Sequence, residues 1–171
     1  MNATVSAAVP GDDLEALIAS VTQAFSDGAT LGDLMGYEER DYEAVYALGH
    51  NFYSQARYLD ALKAFSFLVM NNPLERRFSN AMASSLQMLK QYDNAIGFYS
   101  LASFMDIADP RPTFHTAECM IALKRMDQAV EALEIVIDQS NTPEFEALKT
   151  RAEALLGLIK SPQAAGGGES K

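Results

Sequence analysis

A fixed period, the interval that separates Ala61 from Ala95 and Ala95 from Ala129, runs through the middle of this chain and constrains the fold more than any single helix does. Five further columns keep the same register: Gly49/Ala83/Ala117, Phe52/Leu86/Met120, Tyr58/Tyr92/Met126, Leu62/Ile96/Val130 and Phe65/Tyr99/Leu133. Each copy reads as two amphipathic helices. Val45, Leu48, Gly49 and Phe52 follow i, i+3, i+4, i+7, and Ala61, Leu62, Phe65, Leu68 and Val69 repeat that spacing. The small column at Gly49 is set to face the small column at Ala61, so that paired helices approach closely, and Pro73 stops the first copy. The pattern predicts an all-α solenoid of three tandem repeats over 42–75, 76–109 and 110–143.

The flanks read as caps for this array. Upstream, a helical segment over 12–41 opens on an Asp12/Glu15 capping box, carries the stripe Leu14, Leu17, Ile18, Val21 and Phe25, and ends its first helix at Gly28. An acidic helix with five apolar residues on one face must cover that face, which predicts contact with a second copy and a homodimer. Packing on its own first repeat is the alternative. Downstream, Phe145, Leu148, Ala152, Leu155, Leu156 and Ile159 predict a capping helix over 144–160. Residues 1–11 are expected to be flexible, and 161–171, with Gly166, Gly167 and Gly168, disordered.

Composition narrows the function. Thirteen Lys and Arg against 23 Asp and Glu give a net charge of −10, which weighs against a phosphate-neutralising nucleic-acid surface or an anionic membrane. Upstream of Arg40 lie seven acids and no base. Cys119 is alone and forms no internal disulfide, no basic n-region precedes Arg40, and no apolar run approaches the ~20 residues of a membrane span. A cytoplasmic location is expected. The patterns G-x-x-x-x-G-K-[ST], G-x-G-x-x-G, G-x-S-x-G and H-E-x-x-H are missing, so the chain reads as a non-enzymatic binding module. His115 and Cys119 have the i, i+4 spacing of two metal ligands, but the rest of a site is lacking, and Cys119 reads as a buried thiol. No cofactor or metal is expected.

Tyr46, His50 and Tyr53 lie i, i+4, i+7 on the first helix of copy one, rotated about 100° from the stripe that packs the repeat. In a helical-pair solenoid that second stripe lines the concave groove, where aromatic side chains grip an extended peptide. Its counterparts one and two repeats on are Asn80, Ser84 and Gln87, then Phe114, Glu118 and Ile121. The alternative reading packs Tyr46 and Tyr53 beneath the N-terminal helices. Arg77 and Arg111 sit one repeat apart, but a carboxylate clamp needs several bases on the concave stripe, where copy one offers Tyr46 and His50. Arg111, between two prolines, reads as a surface residue at the start of a helix.

The first copy resembles the tetratricopeptide repeat through Leu48, Gly49, Phe52, Ala61, Phe65 and Pro73. Three segments go further and resemble the class II chaperones of type III secretion: SDGATLGDL (26–34), YALGHNFYSQARYLDALKAF (46–65) and MDIADPRPTFHTAEC (105–119). The last is the most specific, because no repeat helix demands Met-Asp-Ile, Pro-Arg, Phe-His and Ala-Glu-Cys in that order. The resemblance implies a homodimer made through the N-terminal segment and a groove holding an extended segment, with a Pro-x-Leu-x-x-Pro pattern, of a hydrophobic translocator protein. It implies a cytoplasmic chaperone that keeps such clients soluble. The alternative is a repeat scaffold or transcriptional co-regulator joining folded soluble proteins.

Overall fold

The computed structural model describes residues 11–161. The chain ends expected to be flexible, up to residue 10 and from residue 162, lie outside the described residues. In order, the elements are α1 (Gly11–Ser26), α2 (Leu31–Met35), α3 (Glu39–Ser54), α4 (Tyr58–Asn71), α5 (Arg76–Met88), α6 (Tyr92–Met105), α7 (Arg111–Ala122), α8 (Met126–Gln139), a 3-10 turn (Pro143–Phe145) and α9 (Glu146–Lys160). Among the described residues there is no strand, and no helix is long and apolar enough to cross a membrane. From α3 to α9 each helix packs on the next, the order of a solenoid.

The repeat columns explain that packing. Ala61, Ala95 and Ala129 are fully buried, as are Ala83 and Ala117. A Cβ on Gly49 would lie 2.5 Å from Phe65 Cε1, so only glycine lets α3 approach α4 this closely. Phe65, Tyr99 and Leu133 fill the space beneath the small residues. The period also appears in the backbone. Ala56, Lys90 and Lys124, each one period from the next, adopt φ of 58°, 60° and 59° in the turn between the two helices of each copy. At each, the next residue's N–H donates back to the preceding helix: Arg57 to Phe52, Gln91 to Leu86 and Arg125 to Met120, all at 2.9 Å. These are Schellman closures, in which a left-handed residue satisfies the last carbonyls.

The segment over 26–34 is also built by turn chemistry. Gly28 takes φ 91° to end α1, and Thr30 caps α2. The Asp33 amide donates to Thr30 Oγ1 at 3.2 Å, and the Thr30 amide donates to Asp33 Oδ2 at 2.7 Å. The Thr30 amide and hydroxyl, both donating to Asp33 Oδ2, hold that carboxyl below its ordinary pKa. Gly32 lets α2 close on the core, since a Cβ there would meet the Tyr42 hydroxyl and the Asn71 carbonyl. At the other end of this segment α1 is already helical at Gly11, upstream of the Asp12 that the sequence pattern places at its N-cap.

Candidate peptide-binding groove

Tyr46, His50 and Tyr53 project from successive turns of α3. The Tyr46 ring centroid lies 4.5 Å from that of His50, 5.9 Å from Phe65 and 5.7 Å from Phe78. His50 also meets Phe65 edge-on at 5.5 Å, and Tyr53 meets Tyr58 at 5.2 Å. The two tyrosines are half-buried and His50 is exposed. Burial raises the pKa of both phenols, so they remain protonated donors near neutrality. Tyr46 and Tyr53 pack on the core of the first repeat and not beneath the N-terminal helices, and part of each side chain stays accessible. A cavity of about 100 Å³ opens among His50, Tyr53, Phe65, Ala81 and Ser84, the scale of one apolar side chain.

Ser84 links this cavity to a second, polar compartment of about 280 Å³, lined by Arg76, Asn80, Ser84, Tyr99, Asp109, Arg111, Pro112 and His115. A chain of hydrogen bonds crosses the groove here. Ser84 Oγ lies 3.0 Å from Tyr99 Oη, which donates to Gln87 Oε1 at 2.8 Å. Gln87 Nε2 donates to Glu118 Oε2 at 3.3 Å, and His115 Nδ1 sits 2.8 Å from the same oxygen. Arg151 of α9 reaches Glu118 Oε1 at 3.4 Å. Burial alone would raise the Glu118 pKa, but the bonds from His115 and Gln87 and the charges of His115 and Arg151 outweigh it and hold the carboxyl low. Tyr99 and His115 stack, with centroids 5.3 Å apart and planes 24° from parallel. Asn80, Ser84, Gln87 and Glu118 are thus brought together from α5 and α7. Ile121 is half-buried near the end of α7.

Phe114 corrects the expectation that it lines the groove. It is fully buried, in a cluster with Ala117, Leu133, Val136 and Ala152, and the Arg151 guanidinium lies 4.7 Å above its ring. The physical reason is α9: side chains of the capping helix cover, on the third repeat, the position that copy one leaves half open at Tyr46. Arg77 is committed within the chain, over the Tyr46 and Phe78 rings at 5.1 Å each and paired with Glu39, Glu43 and Glu75. Cys119 is fully buried, which pushes its thiol up to about 11 and keeps it protonated.

The residues that sequence reasoning missed are Arg76, Tyr99, Asp109 and His115. Tyr99 stood in a core column and His115 was weighed only as a metal ligand. Asp109 is the reason for the Asp-Pro-Arg run. Its carboxylate accepts from the Arg111 amide at 2.9 Å and from Arg111 Nε at 2.8 Å, opening α7, and it pairs with Arg76 at the start of α5. Arg76 further reaches the Ala102 carbonyl at 3.2 Å and Asp106 at 3.3 Å. Although burial opposes ionisation, the bonds from Arg111 and Arg76 keep the Asp109 carboxyl below its usual range. On the dimerisation stripe, Ile18 and Phe25 are 56% and 49% exposed and Val21 is half-buried, while the side chains of Leu14 and Leu17 lie outside the described residues.

A family model described as tetratricopeptide repeat matches residues 81–109, within the second copy. Low calcium response locus protein H of Yersinia pseudotuberculosis is 34% identical over 137 residues, covering 78% of this chain and 80% of the relative. SycD, a type III secretion chaperone of Yersinia enterocolitica solved with a peptide of the translocator YopD, superposes with a TM-score of 0.69 at 35% identity, over 72% of this chain and 95% of SycD. SycD has also been solved as an alternative dimer. PcrH of Pseudomonas aeruginosa, solved with the chaperone binding region of PopD, gives a TM-score of 0.70 at 34% identity, over 72% of this chain and 94% of PcrH.

Proposed function

The chain belongs to the translocator chaperones of type III secretion, and we propose that this member holds the hydrophobic translocators of its own secretion system in the concave groove, keeping them soluble in the cytoplasm until export. The observation that carries this reading is the junction at Ser84 of an aromatic-walled cavity the size of one side chain with a polar compartment. An extended segment has apolar anchors and an unpaired backbone, and the two compartments answer one each. Pro-x-Leu-x-x-Pro suits such a floor: its prolines pre-set the extended backbone and its leucine supplies the anchor. The mechanism is occupancy. Membrane-inserting stretches aggregate when exposed, and covering them consumes no nucleotide and breaks no bond.

The same reading makes the molecule a homodimer through α1. Among the described residues α1 makes no extensive contact with another helix: Phe25 borders a cavity with Met70 and Leu74 yet stays half exposed, and Ile18 stands exposed to meet a second copy. Co-expression with a hydrophobic translocator of its own secretion system tests the function. The translocator is expected in the soluble fraction only with the intact chaperone, and with Tyr53→Ala it should return to aggregates. A translocator that stays insoluble, together with a stable complex between this chain and a folded soluble partner, overturns the reading in favour of a scaffold.

A further inference from the structure

The outer face of the array carries a feature that groove binding does not use. Phe104 and Ile107, at and just beyond the end of α6, are 83% and 74% exposed, and Ile135 of α8 is 49% exposed. Leu101 and Ile135 are one period apart, so they occupy equivalent places on neighbouring repeats, and the exposed Phe67 of α4 extends the row. Next to it runs Met70/Phe104, also one repeat apart. α6 and α8 are linked at both ends: Arg125 pairs with Asp93 at their starts at 2.7 Å, and Gln139 Nε2 donates to the Ile107 carbonyl just beyond the end of α6 at 3.2 Å. On α6 the buried Tyr99 faces the groove. Phe104 lies five positions on, about 140° around the helix, and so looks away from it.

Charge selects what such a surface takes. Neither α6 nor α8 contains a Lys or Arg, while Glu131, Glu134 and Asp138 of α8 are exposed beside the apolar row. The nearest bases are engaged, Arg125 with Asp93, Lys160 with Glu134 at 2.7 Å and Lys149 with Asn141 at 3.4 Å. A contiguous apolar patch rimmed by one sign of charge marks a protein docking site, and the acids repel nucleic acid and anionic lipid alike. They also disfavour a second copy, because α1, the other exposed apolar helix, carries acids and no base.

We propose that this convex surface is a second docking site, for an amphipathic helical segment of a partner protein bearing Lys or Arg beside its apolar stripe, and that it is filled while the groove holds its own ligand. The test titrates the full chain with a labelled Leu/Lys amphipathic helical peptide of about five turns. Binding is expected to weaken about tenfold in Phe104→Ala/Ile107→Ala, and by a similar factor in Glu131→Lys/Asp138→Lys. An excess of a Pro-x-Leu-x-x-Pro peptide should not displace it, and that peptide should bind the Phe104→Ala/Ile107→Ala chain as it binds the parent. These side chains are exposed, so melting curves of the variants should overlay that of the parent. Unchanged affinity in both variants, equal binding of a Leu/Glu peptide, or displacement by the groove peptide would overturn the proposal. So would a change of mass in Phe104→Ala/Ile107→Ala by light scattering, which would make the patch a contact between copies of this chain.

Discussion

Asp109 sets one carboxylate, 8% exposed, against Arg76 from α5 and Arg111 from α7, so the second and third repeats are tied through one side chain. Asp109→Ala removes the acceptor that the two guanidiniums share and leaves Arg76 with Asp106 and the Ala102 carbonyl alone. Arg76 keeps a quarter of its surface in water, so the expected loss is about 2–4 kcal/mol, below the full figure for a wholly buried pair. Urea titration of the variant against the parent measures it. Because the folded carboxyl lies below its unfolded value, its stabilisation is present in full above about pH 4 and fades as the pH falls through the folded value. The parent should therefore lose stability below that pH more steeply than Asp109→Ala. A second prediction concerns backbone strain. Lys90 sits at φ 60°, where a side chain clashes with its own backbone, and Lys90→Gly removes that clash. The expected gain is about 0.5–1 kcal/mol, read as a rise in melting temperature. Equivalent changes at Ala56 and Lys124 should add, since the three turns share no contacts.

At the scale of elements, α1 and α9 are both amphipathic and differ in what they cover. α9 packs on α8 and its Ala152 closes the third repeat over Phe114 and Leu133, whereas α1 makes no extensive contact with another helix among the described residues. Deleting residues 1–28 should therefore leave a folded array with an unchanged melting midpoint and convert the dimer to a monomer, as light scattering would report. A truncated chain that remains dimeric removes α1 from the interface. Truncating α9 predicts the opposite pattern. Without it Phe114 and Leu133 are uncovered and the third repeat should melt first, visible as protease sensitivity in α7 and α8.

Only the whole array assembles the proposed groove, because α3 supplies Tyr46, His50 and Tyr53, α5 the Asn80–Ser84–Gln87 row and α7 the His115–Glu118 pair. Binding and stability mutants should therefore separate by how far each side chain reaches into the core. Phe65 is fully buried, and Phe65→Ala should cost ~3–5 kcal/mol of folding. Tyr53 borders the cavity at His50, meets Tyr58 edge-on and packs at the margin of the first-repeat core, so Tyr53→Ala should weaken client binding by roughly 1–3 kcal/mol with a smaller change in melting. Tyr46 contacts Phe65, Phe78 and Arg77 together, and Tyr46→Ala should lower both. Calorimetric titration with a client peptide beside thermal melts gives the two numbers for each variant.

The helical pairs, their order and the close approach of α3 to α4 were legible in the sequence, because each depends on positions within one period of each other and on side-chain size. Gly49, Ala61 and Phe65 can serve in a packed pair in only one way. That Tyr46, His50 and Tyr53 share one face of α3 was legible for the same local reason, but not that Tyr46 would pack on Phe65 and Phe78 and Tyr53 on Tyr58. What periodicity could not decide was what a neighbouring helix does to an equivalent position. Phe114 has the register of Tyr46 and a larger apolar character than Asn80, yet α9 buries it. Tyr99 stands in the core column of Phe65, yet its hydroxyl reaches Gln87 and joins the groove. Asp109 and Arg76 belong to opposite ends of the second repeat, and nothing in either local pattern announces the pair. Helix spacing is local and repeats faithfully. Burial and partnership depend on the next element in space, and at the ends of a finite solenoid that element is different each time.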